Sequence, residues 1–259
     1  MFPAPFDYYR AHSVDDAVQA LARFGDDARI LAGGQSLIPA MRFRLARPSV
    51  LVDINAIDEL AYVRESDGHL AVGAGTRDFA LETAPLIAQR YLLLADTSAL
   101  VADPVVRQMG TVVGSLCHND PAGDWPVTAL AARAQVSIRT PGGATRTVAI
   151  DDFVVDSYTT AVGTGEMAVE VRFPTPGTRT SGSYQKIERK VGDFAAEKLL
   201  AGAKPSKDLI RAAMREAEKI ADPSPDNRGS VEYKKAMAGV LVGRAIAGAL
   251  ERLGVGGLK

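Results

Sequence analysis

The sequence predicts an α+β chain of two α/β units followed by a C-terminal α+β unit, and three observations carry that prediction. At 259 residues the chain can bury more than one core. Helical and strand-like apolar patterns alternate from Val14 to Phe173. From Pro174 the composition changes: Thr175 to Ser183 is rich in Gly, Thr and Ser, and helical patterns dominate the rest of the chain. The units are placed at residues 1–56, 57–175 and 176–259.

Each element follows from its residues. Val14, Ala17, Val18, Leu21 and Ala22 have helical spacing, and Ser13 can cap that helix, Val14 to Phe24. A strand at Ala28–Leu31 leads into the turn Ala32-Gly33-Gly34-Gln35-Ser36, then a helix from Leu37 to Leu45, with Pro39 tolerable only in its first turn. Val50–Ile54 reads as a buried strand. Strands at Leu60–Val63 and Leu70–Val72 flank the turn Ser66-Asp67-Gly68. Thr76 opens a helix through Asp78–Leu86, and a second helix covers Leu92–Val101. A second glycine-containing turn spans Met109 to Ser115. Pro126–Ala134 is helical. Val136–Arg139 and Arg146–Ile150 form a hairpin across Pro141-Gly142-Gly143, and Met167–Phe173 is a further strand. Past the linker come a strand at Ser183–Lys190 and helices at Ala195–Ala201, Lys207–Ile220 and about Val231–Leu253.

Composition excludes several classes. Lys plus Arg number 30 against 31 for Asp plus Glu, so no basic field supports nucleic-acid binding. A single cysteine, Cys117, rules out an internal disulfide framework and an iron–sulfur cluster held by this chain alone. No secretory signal or bilayer-spanning apolar run is visible, and a reducing cytoplasmic location fits. His12, His69 and His118 show no metal-ligand spacing, so no metal site is expected. No hydrolytic or acid–base constellation stands out, so no catalytic residue is assigned. Cys117 reads as a small buried thiol and Trp125 as core or interface. Lys186 could reach an anionic group or be an ordinary exposed lysine.

The two glycine turns carry the chemistry. A diphosphate needs many hydrogen-bond donors at close range, and backbone N–H groups in a glycine-rich turn supply them without β-carbons in the way. A helix beginning at that turn adds a favourable dipole. Ala32–Ser36 has this arrangement, and the Ser36 hydroxyl serves either a phosphate oxygen or the helix cap. Gly110–Ser115 could supply a second set of donors. A Gly-Gly pair between strand and helix is commonly only a tight turn, but two such turns in separate units could hold a dinucleotide between them. A Rossmann site competes, with Asp53 near the position of a ribose-binding acid. Its third glycine is missing here, and Gly73-Ala74-Gly75-Thr76-Arg77-Asp78 has Asp where that glycine belongs. Asp53 is read instead as a strand-end turn residue or cap partner.

Taken in order, the segments resemble one family. Ala32-Gly33-Gly34-Gln35-Ser36-Leu37 resembles the A-G-G-x-S-L phosphate turn of FAD-binding subunits in molybdenum hydroxylases. Arg44 to Pro48 with Leu51 to Ile54, Asp103 to Thr111, Asn119 to Pro126, Tyr184 to Lys186 with Arg189 to Ala195, and Asp226 to Ser230 with Tyr233-Lys234 resemble its successive continuations. The likeness spans nearly the whole chain and is nearest to the medium chain of aerobic carbon monoxide dehydrogenases. It implies the fold of vanillyl-alcohol-oxidase (PCMH-type) flavoproteins, with FAD between the first two units. Ala32, Gly33, Gly34, Gln35, Ser36 and Leu37 would wrap the pyrophosphate; Thr111, Gly114 and Ser115 would complete it. His118 would sit near the cofactor, Asp124 would accept from adenosine or ribityl hydroxyls, Lys186 would approach the flavin ring, and Phe194 would lie beside it.

The resemblance further implies a heterotrimeric enzyme that pairs into a dimer of heterotrimers. A large subunit would hold the molybdenum cofactor and oxidise substrate. A small subunit would hold two [2Fe–2S] clusters and feed electrons to this FAD, which would pass them to quinone or another acceptor. Acceptor delivery could bring the complex to the inner face of the membrane. A xanthine, N-heterocycle or aldehyde hydroxylase is an alternative owner, as is a free-standing flavin oxidoreductase; a nucleotide-binding module without redox chemistry is the third reading. Two departures from the family stand out. The second turn reads Thr111-Val112-Val113-Gly114 where the family has T-I-G-G, so either the backbone at Val113 keeps a negative φ or the turn is altered. After about residue 195 the family continues into further strands, whereas here Ala196 to Leu200 runs directly into the terminal helices, so a segment is missing.

Overall fold

The computed structural model of the chain describes residues 2–186, 206–223 and 229–254. The amino-terminal part is a three-stranded parallel sheet of β1 (Asp7–Arg10), β2 (Ala28–Leu31) and β3 (Val50–Asp53), in the order β1-β3-β2. Val50, Leu51 and Val52 of the central strand are all buried, the continuous apolar run that a strand covered on both faces requires. Helix α1 (Val14–Phe24) precedes β2 and buries Val14, Ala17, Val18 and Leu21; Ser13 accepts from the Asp16 N–H and caps it as expected. Strand β1 is absent from the sequence prediction, because Asp7-Tyr8-Tyr9-Arg10 is largely exposed and shows no apolar alternation. Helix α2 (Leu37–Arg42) is shorter than the predicted Leu37–Leu45 and holds Pro39 in its first turn.

The next part is a five-stranded antiparallel sheet. Strands β4 (Val63–Ser66) and β5 (His69–Gly73) form its first hairpin. The predicted strand at Leu60–Val63 starts at Val63 instead: Tyr62 donates its N–H to the Thr76 hydroxyl, which donates back to the Tyr62 carbonyl. Thr76 is thereby spent, and helix α3 (Asp78–Thr83) begins after Arg77. The predicted helix Asp78–Leu86 is split, because Pro85 lacks an N–H and drives Ala84 into extended backbone; α4 (Pro85–Arg90) starts at that proline. Helix α5 (Leu92–Leu100) comes next. Two short helices follow: α6 (Pro104–Met109), capped by Asp103 on the Val105 and Val106 N–H groups, in a stretch given no element, and α7 (Val112–His118), which takes up much of the Met109–Ser115 stretch read as a turn.

Helix α8 (Asp124–Ala131) leads into the hairpin β6 (Gln135–Arg139) and β7 (Thr145–Ala149). The one-turn helix α9 (Ile150–Phe153) precedes the small hairpin β8 (Val154–Asp156) and β9 (Thr159–Thr160). Strand β10 (Met167–Pro174) closes the sheet in the order β4-β5-β10-β6-β7. Leu70, Val72, Val136, Ile138, Val171 and Phe173 line a core shared with Val18, Leu21 and Val52 of the first sheet.

Beyond the linker the described residues contribute α10 (Lys207–Ile220) and α11 (Val231–Arg252), capped by Ser206 and Ser230 and packed through Ala213, Ala217 and Val242. Arg252 docks this pair onto α5 by a two-pronged contact with Asp96, at 2.8 and 2.9 Å, and by a bond to the Gly182 carbonyl at 2.6 Å. Ser183 to Lys186, predicted as the start of a strand, belong to no sheet. The rest of that strand, the helix expected at Ala195–Ala201 and Phe194 lie outside the described residues. No helix among the described residues is long and apolar enough to cross a membrane.

Candidate functional site

The two glycine turns meet. A β-carbon added to Gly33 would collide with the Met109 carbonyl oxygen and lie 2.9 Å from the Gly110 Cα, so the first turn sits directly against the residues that open the second. Only glycine permits that approach. Gly34 has φ +71° and turns the chain into α2.

Donors are available there. Among the described residues, the N–H groups of Gly33, Gly34, Gln35, Ser36 and Leu37 donate to no protein acceptor; the first bonds of this segment run from Ile38 to the Gly34 carbonyl and from Ala40 to the Ser36 carbonyl. Ser36 makes no cap bond, and neither its hydroxyl nor that of Ser115 has a hydrogen-bond partner among the described residues. Gln35 folds back, donating to the Gly33 carbonyl at 3.3 Å. Five consecutive partly accessible amides with a free hydroxyl are the donor set a diphosphate takes.

The second turn is built differently. Thr111 is the N-cap of α7 and its hydroxyl accepts from the Gly114 N–H at 3.2 Å, so that amide and that oxygen are already committed to each other. The Ser115 N–H bonds the Thr111 carbonyl at 3.0 Å. Thr111 itself is buried. Val113 keeps a negative φ, sits inside the helix and buries its side chain in the core. The departure from a double glycine is therefore absorbed by packing, without an altered backbone.

The remaining expected residues divide. His118 lies at the far end of α7, its ring 5.3 Å from that of Tyr158. Cys117, read as buried, is a correction: solvent reaches it, although enough protein surrounds it that desolvation pushes its thiol up to about 12. Asp124 and Lys186, expected at the cofactor hydroxyls and the flavin ring, are bound to each other, with Lys186 Nζ 2.9 Å from Asp124 Oδ1 and side-chain exposures of 9% and 1% for Asp124 and Lys186. Tyr184 donates to the same carboxylate at 2.6 Å and Lys186 also donates to the Leu100 carbonyl at 3.1 Å. The exposed-lysine reading of Lys186 is thus excluded. A buried pair needs such extra bonds to offset the desolvation of two charges.

Behind the second turn lies Asp78, which the sequence marked as a helix residue and a failed motif position, with no role at the site. Its N–H donates to the Gly110 carbonyl at 2.9 Å, and its carboxylate accepts from the Trp125 indole N–H at 2.9 Å. Burial pushes this carboxyl up to about 7; the Trp125 bond opposes the shift and the nearby Asp124 charge adds to it. Asp53 proves to be the strand-end turn residue, accepting from the Asn55 N–H at 2.8 Å. No cluster of metal-ligating side chains exists among the described residues.

Residues 4–176 match the family described as the FAD binding domain in molybdopterin dehydrogenase, and residues 183–249 match the CO dehydrogenase flavoprotein C-terminal domain. The chain is 36% identical to the carbon monoxide dehydrogenase medium chain of Afipia carboxidovorans, over 286 aligned positions covering 97% of this chain and 99% of the relative. That alignment is longer than the 259 residues present, so the relative carries residues that this chain lacks. The 6-hydroxypseudooxynicotine dehydrogenase complex subunit alpha of Paenarthrobacter nicotinovorans is 34% identical, with coverage of 97% of both chains. The solved structure of carbon monoxide dehydrogenase from Hydrogenophaga pseudoflava superposes with a TM-score of 0.90 at 35% identity, covering 97% of this chain and 99% of that one.

Proposed function

This chain belongs to the family of FAD-binding domains in molybdopterin dehydrogenases, and from that premise we propose that it is the electron-transfer medium subunit of a carbon-monoxide-dehydrogenase-type complex. The observation that carries the reading is the contact between Gly33 and Met109–Gly110, which sets the open amides of residues 33–37 beside the start of α7. Ala32, Gly33, Gly34, Gln35, Ser36 and Leu37 bind the diphosphate, the backbone groups at their head and Ser36 by its hydroxyl. Ser115 adds a second hydroxyl, while Thr111 and Gly114 serve by shaping the start of α7. His118 lies farther along the same helix, towards the flavin. Asp124 and Lys186 act as a buried pair that stiffens the wall behind the second turn, and Phe194 completes the set.

When bound, FAD supplies a carrier that accepts electrons singly and releases them singly or in pairs, which suits a junction between one-electron clusters and a two-electron acceptor. The protein's part is to hold that carrier by its diphosphate and leave one edge open to a neighbour. Partner subunits would hold the [2Fe–2S] clusters and the molybdenum cofactor, in a dimer of heterotrimers, with quinone or another acceptor as outlet. A cytoplasmic complex that meets the inner membrane face through its acceptor fits this scheme.

A second reading keeps the same role and changes the partner. A relative named for 6-hydroxypseudooxynicotine is almost as similar as those named for carbon monoxide, so the large subunit could equally oxidise an N-heterocycle. Purification of the native complex with a visible spectrum tests both. Flavin absorption that bleaches on adding carbon monoxide supports the first reading; bleaching only with an N-heterocycle supports the second. A chain that stays colourless after incubation with FAD ends both.

A further inference from the structure

Arg77 is absent from the residues expected at the site, yet it links both halves of it, one directly and one through Asn55. Its guanidinium donates to the Met109 carbonyl at 2.6 Å and to Asn55 Oδ1 at 2.6 Å. The Asn55 amide donates in turn to the Ala32 carbonyl at 3.0 Å. Asn55 is held by Asp53, whose Oδ1 accepts from its N–H at 2.8 Å and from its side-chain amide at 2.5 Å. A continuous path therefore runs from the carbonyl that opens the first turn, through Asn55 and Arg77, to the carbonyl just ahead of the second. Both ends are main-chain oxygens, so the path fixes backbone against backbone.

Charge supplies an independent observation. Arg107 and Arg90 each pair with a glutamate, whereas Arg77 meets no carboxylate at ion-pair distance among the described residues and bonds only neutral acceptors. Neither residues 32–37 nor residues 109–115 contain a lysine or arginine. A partly buried guanidinium with neutral partners keeps its charge available to an anion, and its planar fork suits phosphate oxygens.

We infer that Arg77 is the cation of the diphosphate site and, through Asn55, the positioning residue that holds the two glycine turns at the spacing a dinucleotide requires. The inference rests on the reading that these turns bind FAD.

The test uses the full-length chain, stripped of flavin and titrated with FAD at low and high salt, with the melting temperature of the apoprotein as a fold control. Arg77→Met keeps the stem and removes charge and donors; it should weaken FAD binding about 10- to 100-fold, the loss expected for hydrogen bonds to a charged group, and flatten the salt dependence. Arg77→Lys should recover part of the affinity and the full salt dependence. Arg77→Met binding within about twofold of the parent, with the same salt dependence, overturns the inference. Should Arg77→Met fail to fold, Arg77→Lys and Asn55→Ala decide: Asn55→Ala should loosen binding while retaining the salt response, and loss of that response in Arg77→Lys, or unchanged affinity in Asn55→Ala, overturns the inference. A parent chain that binds no FAD removes the reading of the turns themselves, a different result from a parent that binds and variants that match it.

Discussion

The two glycine turns do different work although their sequences advertise the same thing. The first, residues 32–36, leaves its amides open and owes its shape to one close approach, Gly33 against Met109 and Gly110. The second is already folded into a capped helix, with Gly114 bonded to Thr111 and Val113 packed in the core. On the proposed reading, the difference separates a turn kept open for a ligand from one whose Thr111 and Gly114 are tied up in a helix cap. Substitutions at the first should therefore act on the cofactor, and substitutions at Thr111, Val113 and Gly114 on stability.

The largest effect should come from Gly33→Ala. The obstacle is a carbonyl oxygen of the main chain, which cannot rotate away, so the turns must separate. FAD affinity should fall at least about 100-fold, equivalent to losing two hydrogen bonds to a charged group. Equilibrium titration with FAD checks this. An alanine variant that binds like the parent would show that the contact is incidental, and the contrast between the turns would lose its basis.

The second turn alone rests on a buried carboxyl, and that gives it a pH signature. Asp78 is held near 7 in the folded chain against an ordinary value of 3.8, so between those limits the folded state keeps a proton that the unfolded state has lost. Stability should accordingly be greatest below about pH 4 with respect to this group and decline as pH rises to about 7. A carboxyl held that far above its ordinary value corresponds to a few kcal/mol. Asp78→Asn should remove the slope while keeping an acceptor for Trp125, as chemical denaturation at a series of pH values would read. A slope unchanged in the variant would assign the pH dependence elsewhere.

Val113→Gly restores the glycine of the family pattern and should nevertheless destabilise. It removes a buried side chain, worth about 1.5–3 kcal/mol, and adds about 1 kcal/mol of helix cost. FAD affinity should stay within a few-fold. Were the variant instead to bind FAD much more tightly, Val113 would be a compromise in the cofactor site and the second turn would no longer count as closed.

Much of this was legible in the sequence and some could not have been. Helix α1 matched its predicted limits because periodicity and the Ser13 cap agree. Helices α6 and α7 were readable in principle: Asp103-Pro104 is a cap followed by proline at the first helical position, but the glycines around them drew the eye to a turn. The pairing of Lys186 with Asp124 left no mark in the sequence, since the two lie 62 residues apart. Asn55 and Arg77 were beyond reach for a stronger reason. Their partners are the carbonyls of Ala32 and Met109, and every residue has a carbonyl. Side-chain chemistry leaves a mark in the sequence, whereas a bond to main chain is specified only by the fold that brings it close.

The smallest effect is the most discriminating. Thr111→Val deletes the hydroxyl that caps α7 and keeps the shape, so stability should drop by about 1 kcal/mol. The Gly114 N–H is then released, because its acceptor is gone. If Thr111 and Gly114 serve only the helix cap, that freed donor stays idle and FAD affinity is unchanged, giving a variant less stable but equally avid. If the turn does bind phosphate directly, the freed amide becomes an extra donor and affinity rises. Melting temperature and FAD titration on the same preparation distinguish the two. Gly114→Ala provides the matching control, since its β-carbon would stand 2.5 Å from the Thr111 hydroxyl and break the same bond by pushing the threonine aside. Equal stability losses in the two variants with unaltered FAD affinity would locate the whole contribution of Thr111 in the helix cap.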